Sequence, residues 1–118
     1  MTRPDEFRAV VRRGRRVPTG HTVLHVLRRD SPQQESLSDA STGPARFGFI
    51  VTKAVGGAVT RNTVKRRLRA VGHAVLPSVA GGTDVVIRAL PGSDEVPWAT
   101  LHSEISDGLR LRDGSVAR

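Results

Sequence analysis

Apolar residues recur along this chain in two periods, and the switches between them divide it into six elements. Phe7, Val10 and Val11 stand at i, i+3 and i+4, the spacing of one helical face, and predict a helix over 4–13. Asp5 and Glu6 lie near its start, where the helix dipole favours acids, and Gly14 ends it. His21 to Leu27 reads as a strand. Arg46 to Thr52 reads as a second, with Phe47, Phe49 and Val51 alternating against Arg46, Gly48, Ile50 and Thr52. The pair Gly56-Gly57 breaks the chain. A 3.6-residue pattern then runs from about Val59 to Leu76 and stops at Pro77. Thr83 to Leu90 is a third strand, and Pro91-Gly92 turns away from it. Pro97 suits the first turn of a last helix, for which Trp98, Leu101, Ile105 and Leu109 form a buried stripe.

The order helix, strand, strand, helix, strand, helix suggests one α+β domain over residues 1–118. The economical arrangement is a two-layer sandwich of helices on a mixed sheet. The strand at 83–90 can pair parallel to an earlier one, with the long helix as crossover. Residues 29–45 are polar and rich in Ser, Pro, Gln and Asp. They are expected to be a flexible loop or insertion, and 112–118 a disordered tail.

Composition narrows the class. Aromatics make up 3% of the chain, so the core must come from Val, Leu, Ile and Ala. There is no cysteine, which removes disulfide-linked partners, thiolate catalysis and Cys-based zinc sites and suits a reducing cytoplasm. No apolar run approaches the ~18–20 residues of a membrane helix, and the first residues lack the apolar stretch of a signal peptide. The formal net charge is +8. So one-signed a field implies a polyanionic partner, nucleic acid first and an anionic membrane surface second.

The charges are also sorted. At about 100° per residue, Val64, Leu68, Val71 and Val75 group within roughly 60°, a stripe facing the core. Arg61, Asn62, Lys65, Arg66 and Arg69 fill an adjoining arc of about 140°, with Arg67 on the other flank. No acidic residue occurs between Asp39 and Asp84. The strip therefore has no i,i+4 carboxylate partners, and Arg61, Lys65 and Arg69 repel one another. A second basic cluster, Arg12, Arg13, Arg15 and Arg16, follows the first helix. Gly56-Gly57 can serve as a plain turn or as a phosphate cradle at the helix N-terminus; the Walker A spacing is absent.

Three other roles compete with that of a dedicated RNA-binding subunit. Histidine acid–base chemistry would have to use His21, His25, His73 or His102. The first two share a strand face at i,i+4, but no carboxylate accompanies them at metal or general-acid spacing, so no catalytic side chain and no metal ligand is assigned. A ribosomal or general RNA-chaperone protein would share the composition. A membrane-surface role is disfavoured by the narrow apolar stripe of the basic helix.

The stretch Lys53, Gly56-Gly57-Ala58-Val59 and Arg61-Asn62-Thr63-Val64-Lys65-Arg66-Arg67-Leu68-Arg69 resembles the hallmark of the bacterial ribonuclease P protein family. Asp5-Glu6-Phe7-Arg8 with Gly14 is similar to the family's opening helix, and Gly82 to Ile87 to its last strand. The resemblance covers most of the chain except 29–45 and the C-terminal tail. It implies a ribosomal protein S5 domain 2-like fold with a left-handed βαβ crossover through the basic helix. It implies partnership with the catalytic RNA subunit, which uses magnesium, and with the 5′ leader of precursor tRNA, in the cytoplasm. No cofactor is then expected on protein side chains alone. Arg61, Asn62, Lys65, Arg66, Arg69, Lys53 and Arg67 would contact RNA, and Phe7, Val11 and His25 would line the leader cleft. Val11 and His25 stand where aromatics are frequent, and Ala54, Gly57 and Thr63 replace a frequent Lys, Asn and Arg. The cleft is thus expected to stack bases more weakly and to lean on arginine.

Overall fold

The computed structural model describes residues 4–28, 45–79 and 81–113. Its elements are α1 (Pro4–Arg13), β1 (Arg15–Pro18), β2 (Thr22–Arg28), β3 (Arg46–Ile50), α2 (Ala58–Val75), β4 (Thr83–Ala89) and α3 (Trp98–Asp113), with single 3-10 turns at Leu76–Ser78 and Ser93–Glu95. The six expected elements are present, with boundaries moved by one or two residues. The seventh, β1, was not anticipated. It is four residues long, mostly exposed, and ends in a proline, a pattern tolerated at a sheet edge and hard to distinguish from a basic loop. The last helix reaches Asp113, two residues into the expected tail. The expectations for 29–45, apart from Ala45, and for 114–118 lie outside the described residues.

The strands form one sheet in the order β1-β2-β4-β3. β1 pairs antiparallel with β2, and β2 with β4. β3 runs parallel to β4, Phe47 opposite Val85 and Phe49 opposite Ile87, with α2 as the crossover between them. Strand alternation divides the sheet into an inner and an outer face. Leu24 and Val26 of β2, Val85, Ile87 and Ala89 of β4, and Phe47 and Phe49 of β3 point inward. There they meet Val64, Leu68, Val71 and Val75 of α2 and Leu101 and Ile105 of α3. This sheet-plus-helix core is the two-layer sandwich. Trp98, expected on the same stripe as Leu101 and Ile105, is instead 40% exposed and stacks on His102 one turn later.

The outer face carries α1. Phe7 packs against Gly48 of β3, where any Cβ would overlap the ring, so this strand position must be glycine for the helix to dock. Val10 is buried beneath the same helix. An ion cluster fixes the arrangement. Arg46 of β3 donates from Nε and Nη2 to both carboxylate oxygens of Asp84 on β4, each at 2.9 Å, and from Nη1 to Glu6 of α1 at 3.2 Å. Asp84 is buried, and its hydrogen bonds hold the Arg46 guanidinium still more firmly in the charged form. A second long-range tie joins the β1–β2 turn to α3. The backbone N–H of His21 donates to Glu104 at 3.0 Å, and His21 Nδ1 lies 2.9 Å from Glu104 Oε2.

His25 sits in the middle of β2 on the outer face and is only 6% exposed. Burial, reinforced by the charges of Arg16 and Arg88, pushes its pKa below the ordinary value of 6.5.

Two outcomes follow from these contacts. Arg46→Ala strands a buried carboxylate and should cost roughly 2 kcal/mol in denaturant unfolding, less than the ~3–5 of a fully buried pair because the guanidinium is partly solvated. His25 binds its proton more weakly in the fold than in the unfolded chain. Its contribution is therefore present above about pH 6.5 and is lost as pH falls below that value. In pH-dependent unfolding the wild type should lose ground to His25→Val as the solution is acidified from pH 7; parallel curves would refute the assignment.

Candidate nucleic-acid interface

The basic helix is held from one side only. Val64, Leu68, Val71, Gly72 and Val75 of α2 are buried, and Gly72 brings the helix backbone close to the rings of Phe47 and Phe49. This anchoring turns the opposite arc outward. Asn62, Arg66 and Arg69 are exposed, and Arg61 and Lys65 are partly so. Among the described residues none of Arg61, Lys65, Arg66 and Arg69 has an ion-pair or side-chain hydrogen-bond partner, and Arg61 Nε is buried without one. From Arg61 to Arg69 the strip runs about 12 Å at 1.5 Å rise per residue. No acidic residue occupies the first turn of α2 and no side chain caps it, so the positive end of the helix dipole adds to the field.

Arg67 departs from the expected set. It lies on the other flank, and its Nη1 donates to the backbone carbonyls of Asp94 and Val96 at 3.1 and 3.3 Å. Its guanidinium thus ties α2 to the 3-10 turn before α3. The sequence could not show this, because the acceptors are main-chain atoms of a distant turn. Lys53 is exposed in the turn between β3 and α2, and Gly57 is the uncapped residue preceding α2.

Beside the strip lies an open groove of about 560 Å³. Phe7, Arg8 and Val11 of α1 form one wall, Lys65 of α2 the other, and Phe49, Ile50 and Val51 the floor. Two sets of residues proposed on separate grounds, the aromatic helix face and the basic helix, meet here. Arg8, Phe49, Ile50 and Val51 carry no site role in the sequence reading. Arg8 reads as a solvated position of a helix face, and Ile50 as the minor register of an alternating strand. His25, expected in the same cleft, does not line the groove. It stands two strands away, opposite Val86, while Gly48 pairs with Val86 from the other side. Arg12 and Arg13 end α1, and Arg15 and Arg16 begin β1; all four are exposed, and strand alternation sends Arg15 and Arg16 to opposite faces.

The arrangement offers cations, one partly buried ring and an open, elongated floor. That combination suits a single strand, whose phosphates meet the guanidinium groups while a base stacks on the aromatic ring. His21 has gained the carboxylate that local spacing denied it. Glu104, however, engages both the backbone N–H and Nδ1 of that residue as a tie between the turn and α3. Among the described residues no group of three or more His, Asp or Glu stands together as a metal ligand set, and no helix is long and apolar enough to cross a membrane.

Comparison with known proteins agrees with the geometry. The sequence model of a family described as Ribonuclease P matches residues 1–111. The Ribonuclease P protein component of Clavibacter michiganensis subsp. michiganensis is 43% identical over 109 residues, covering 92% of this chain and 88% of the relative. That of Rhodococcus opacus is 43% identical over 113 residues, covering 96% and 87%. The structure of the Staphylococcus aureus RNase P protein superposes with a TM-score of 0.76 at 17% identity, over 95% of this chain and 93% of the other, and so shares the fold. On the matched motif, the shared fold and the identity across nearly its whole length, the chain belongs to the ribonuclease P protein component family.

Proposed function

We propose that this chain is the RNA-binding subunit of a ribonuclease P whose RNA partner carries out the cleavage, and that its groove holds the single-stranded 5′ leader of precursor tRNA. The observation that carries this reading is the meeting of Phe7 and Lys65 across one groove, next to cations without internal partners. Arg61, Lys65, Arg66 and Arg69, with Lys53 beside them, neutralise phosphates, and Asn62 adds a neutral donor on the same arc. Phe7 offers a ring to one base, backed by Gly48 so that it cannot collapse further into the sheet. Magnesium ions held by the RNA would activate water and stabilise the leaving oxygen. The protein's share is to fix the substrate and to lower the electrostatic cost of crowding two RNAs and their metal ions together.

Uniform binding of this kind lowers the substrate concentration required without altering the chemical step. It is also salt-sensitive in a countable way. Five phosphate contacts to a single strand predict a slope of about −3.5 in log affinity against log salt, a loss of roughly 100-fold between 50 and 200 mM. Arg61→Ala and Arg66→Ala should each weaken binding of a single-stranded oligoribonucleotide and make that slope shallower by about 0.7, with thermal unfolding unchanged. Unaltered slopes would exclude these side chains from the interface.

Phe7→Ala removes the stacking surface and should weaken the reconstituted enzyme's affinity for leader-bearing precursor by about tenfold, within the range for loss of one stacked base. Affinity for tRNA lacking a leader should not change. A loss that is the same for both substrates would place Phe7 in the fold and not in the groove.

A further inference from the structure

Glu6 is a carboxylate one residue before Phe7, the ring that walls the groove, yet it does not line the groove itself. In a chain of net charge +8 an acid so placed works against a polyanion, and it calls for an interior reason. Arg46 supplies one. Nε and Nη2 of its guanidinium are taken by Asp84, and Nη1 turns to Glu6 at 3.2 Å. Asp84 is 3% exposed on β4, so the guanidinium is held fast at its sheet end. The Glu6 side chain is 30% exposed and is the end that can let go.

The two ends of α1 are anchored unequally. At its C-terminal end Val10 is buried, and the N–H of Gly14 donates to the Val10 carbonyl at 2.8 Å. A Cβ at Gly14 would stand 2.8 Å from the carbonyl oxygen of Val26, so this end of the helix lies directly on β2. The first turn has no such anchor. Glu6 and Phe7 are half-buried, and Asp5 and Arg8 are exposed. Ten residues are too few to stay helical unaided, so this turn frays unless it is tied down. Among the described residues its ties are Phe7 on Gly48 and Glu6 on Arg46. The first engages the same ring that a base would engage. The second holds the turn and leaves that ring free.

Resting on the leader-groove reading above, we propose that Glu6 is a positioning residue for the leader: it pins the first turn of α1 to Arg46 and so holds the Phe7 ring where a base can stack. Glu6 itself touches no RNA. Removing its charge then has two effects of opposite sign. Neutralising a carboxylate beside a polyanion slightly favours RNA of any kind. Releasing the pin lets Phe7 sample orientations in which no base stacks, and this weakens only RNA that uses the ring. A loss confined to leader-bearing substrate therefore separates positioning from a general electrostatic effect.

The test is a double-mutant cycle between Glu6→Gln and Phe7→Ala in the reconstituted RNA–protein enzyme, read as affinity for tRNA with and without a leader. Glutamine keeps the size and helix propensity of glutamate. Glu6→Gln should lower affinity for the leader-bearing precursor about threefold, within the range for loss of a partly exposed ion pair, and leave leaderless tRNA bound as well as before or slightly better. In the Phe7→Ala background the same substitution should cause no further loss. Asp5→Asn removes an equal charge from the same helical turn, where among the described residues Asp5 has no ion-pair partner, and it should weaken neither substrate. The proposal is overturned if Glu6→Gln is silent, if it weakens both substrates alike, or if its loss persists once the Phe7 ring is gone. It is overturned too if Asp5→Asn reproduces the loss, which would make the helix dipole the cause. Phe7→Ala alone tests the groove. A leader-specific loss there with a silent Glu6→Gln removes the pin and keeps the groove, whereas no loss there removes the groove reading first.

Discussion

The outward strip of cations depends on the docking of one helix. The stripe Val64, Leu68, Val71 and Val75 is fully or nearly fully buried against Phe47, Phe49, Val85 and Ile87. Burying four such side chains contributes on the order of 6–12 kcal/mol before conformational entropy is counted. That anchoring is what allows Arg61, Lys65, Arg66 and Arg69 to project from one side without internal partners. In isolation, like charges at helical spacing and an uncapped, acid-free first turn would disfavour the helix. Packing overrides the repulsion, and the repulsion that remains is the driving force offered to a polyanion.

The groove requires a second, independent placement. α1 is short and could not remain helical alone. It is held on the outer face by Val10, by the contact of Phe7 with Gly48, and by the link from Glu6 through Arg46 to Asp84. The helix packs across β2 and β4, and the Phe7 and Glu6 contacts tie it to β3 and, through Arg46, to β4. The parallel β3–β4 pairing helps to set both walls: α2 reaches it from the inner face, and Phe7 and Glu6 of α1 from the outer. A shift of β3 by one residue would exchange Gly48 for a phenylalanine beneath Phe7, turn Arg46 away from Asp84, and close the groove.

What was legible in the sequence follows the range of the interaction concerned. Local periodicity located six of seven elements, and the helical wheel separated the anchoring stripe of α2 from its cations, because both depend on neighbours within one or two turns. The same reasoning found Phe7, Val11 and Lys65 individually but not the groove that joins them. Their convergence depends on α1 crossing the outer face, and no spacing within either helix encodes that. The contacts that pattern did not show are long-range in the same sense. Arg67 is spent on carbonyls 27 and 29 residues away, and His21 meets a carboxylate 83 residues away. His25 has the alternation of a strand residue, and pattern alone could not say that its face would be buried two strands from the cleft. β1 was missed because its pairing energy comes from β2, while its own residues carry the signature of a basic loop.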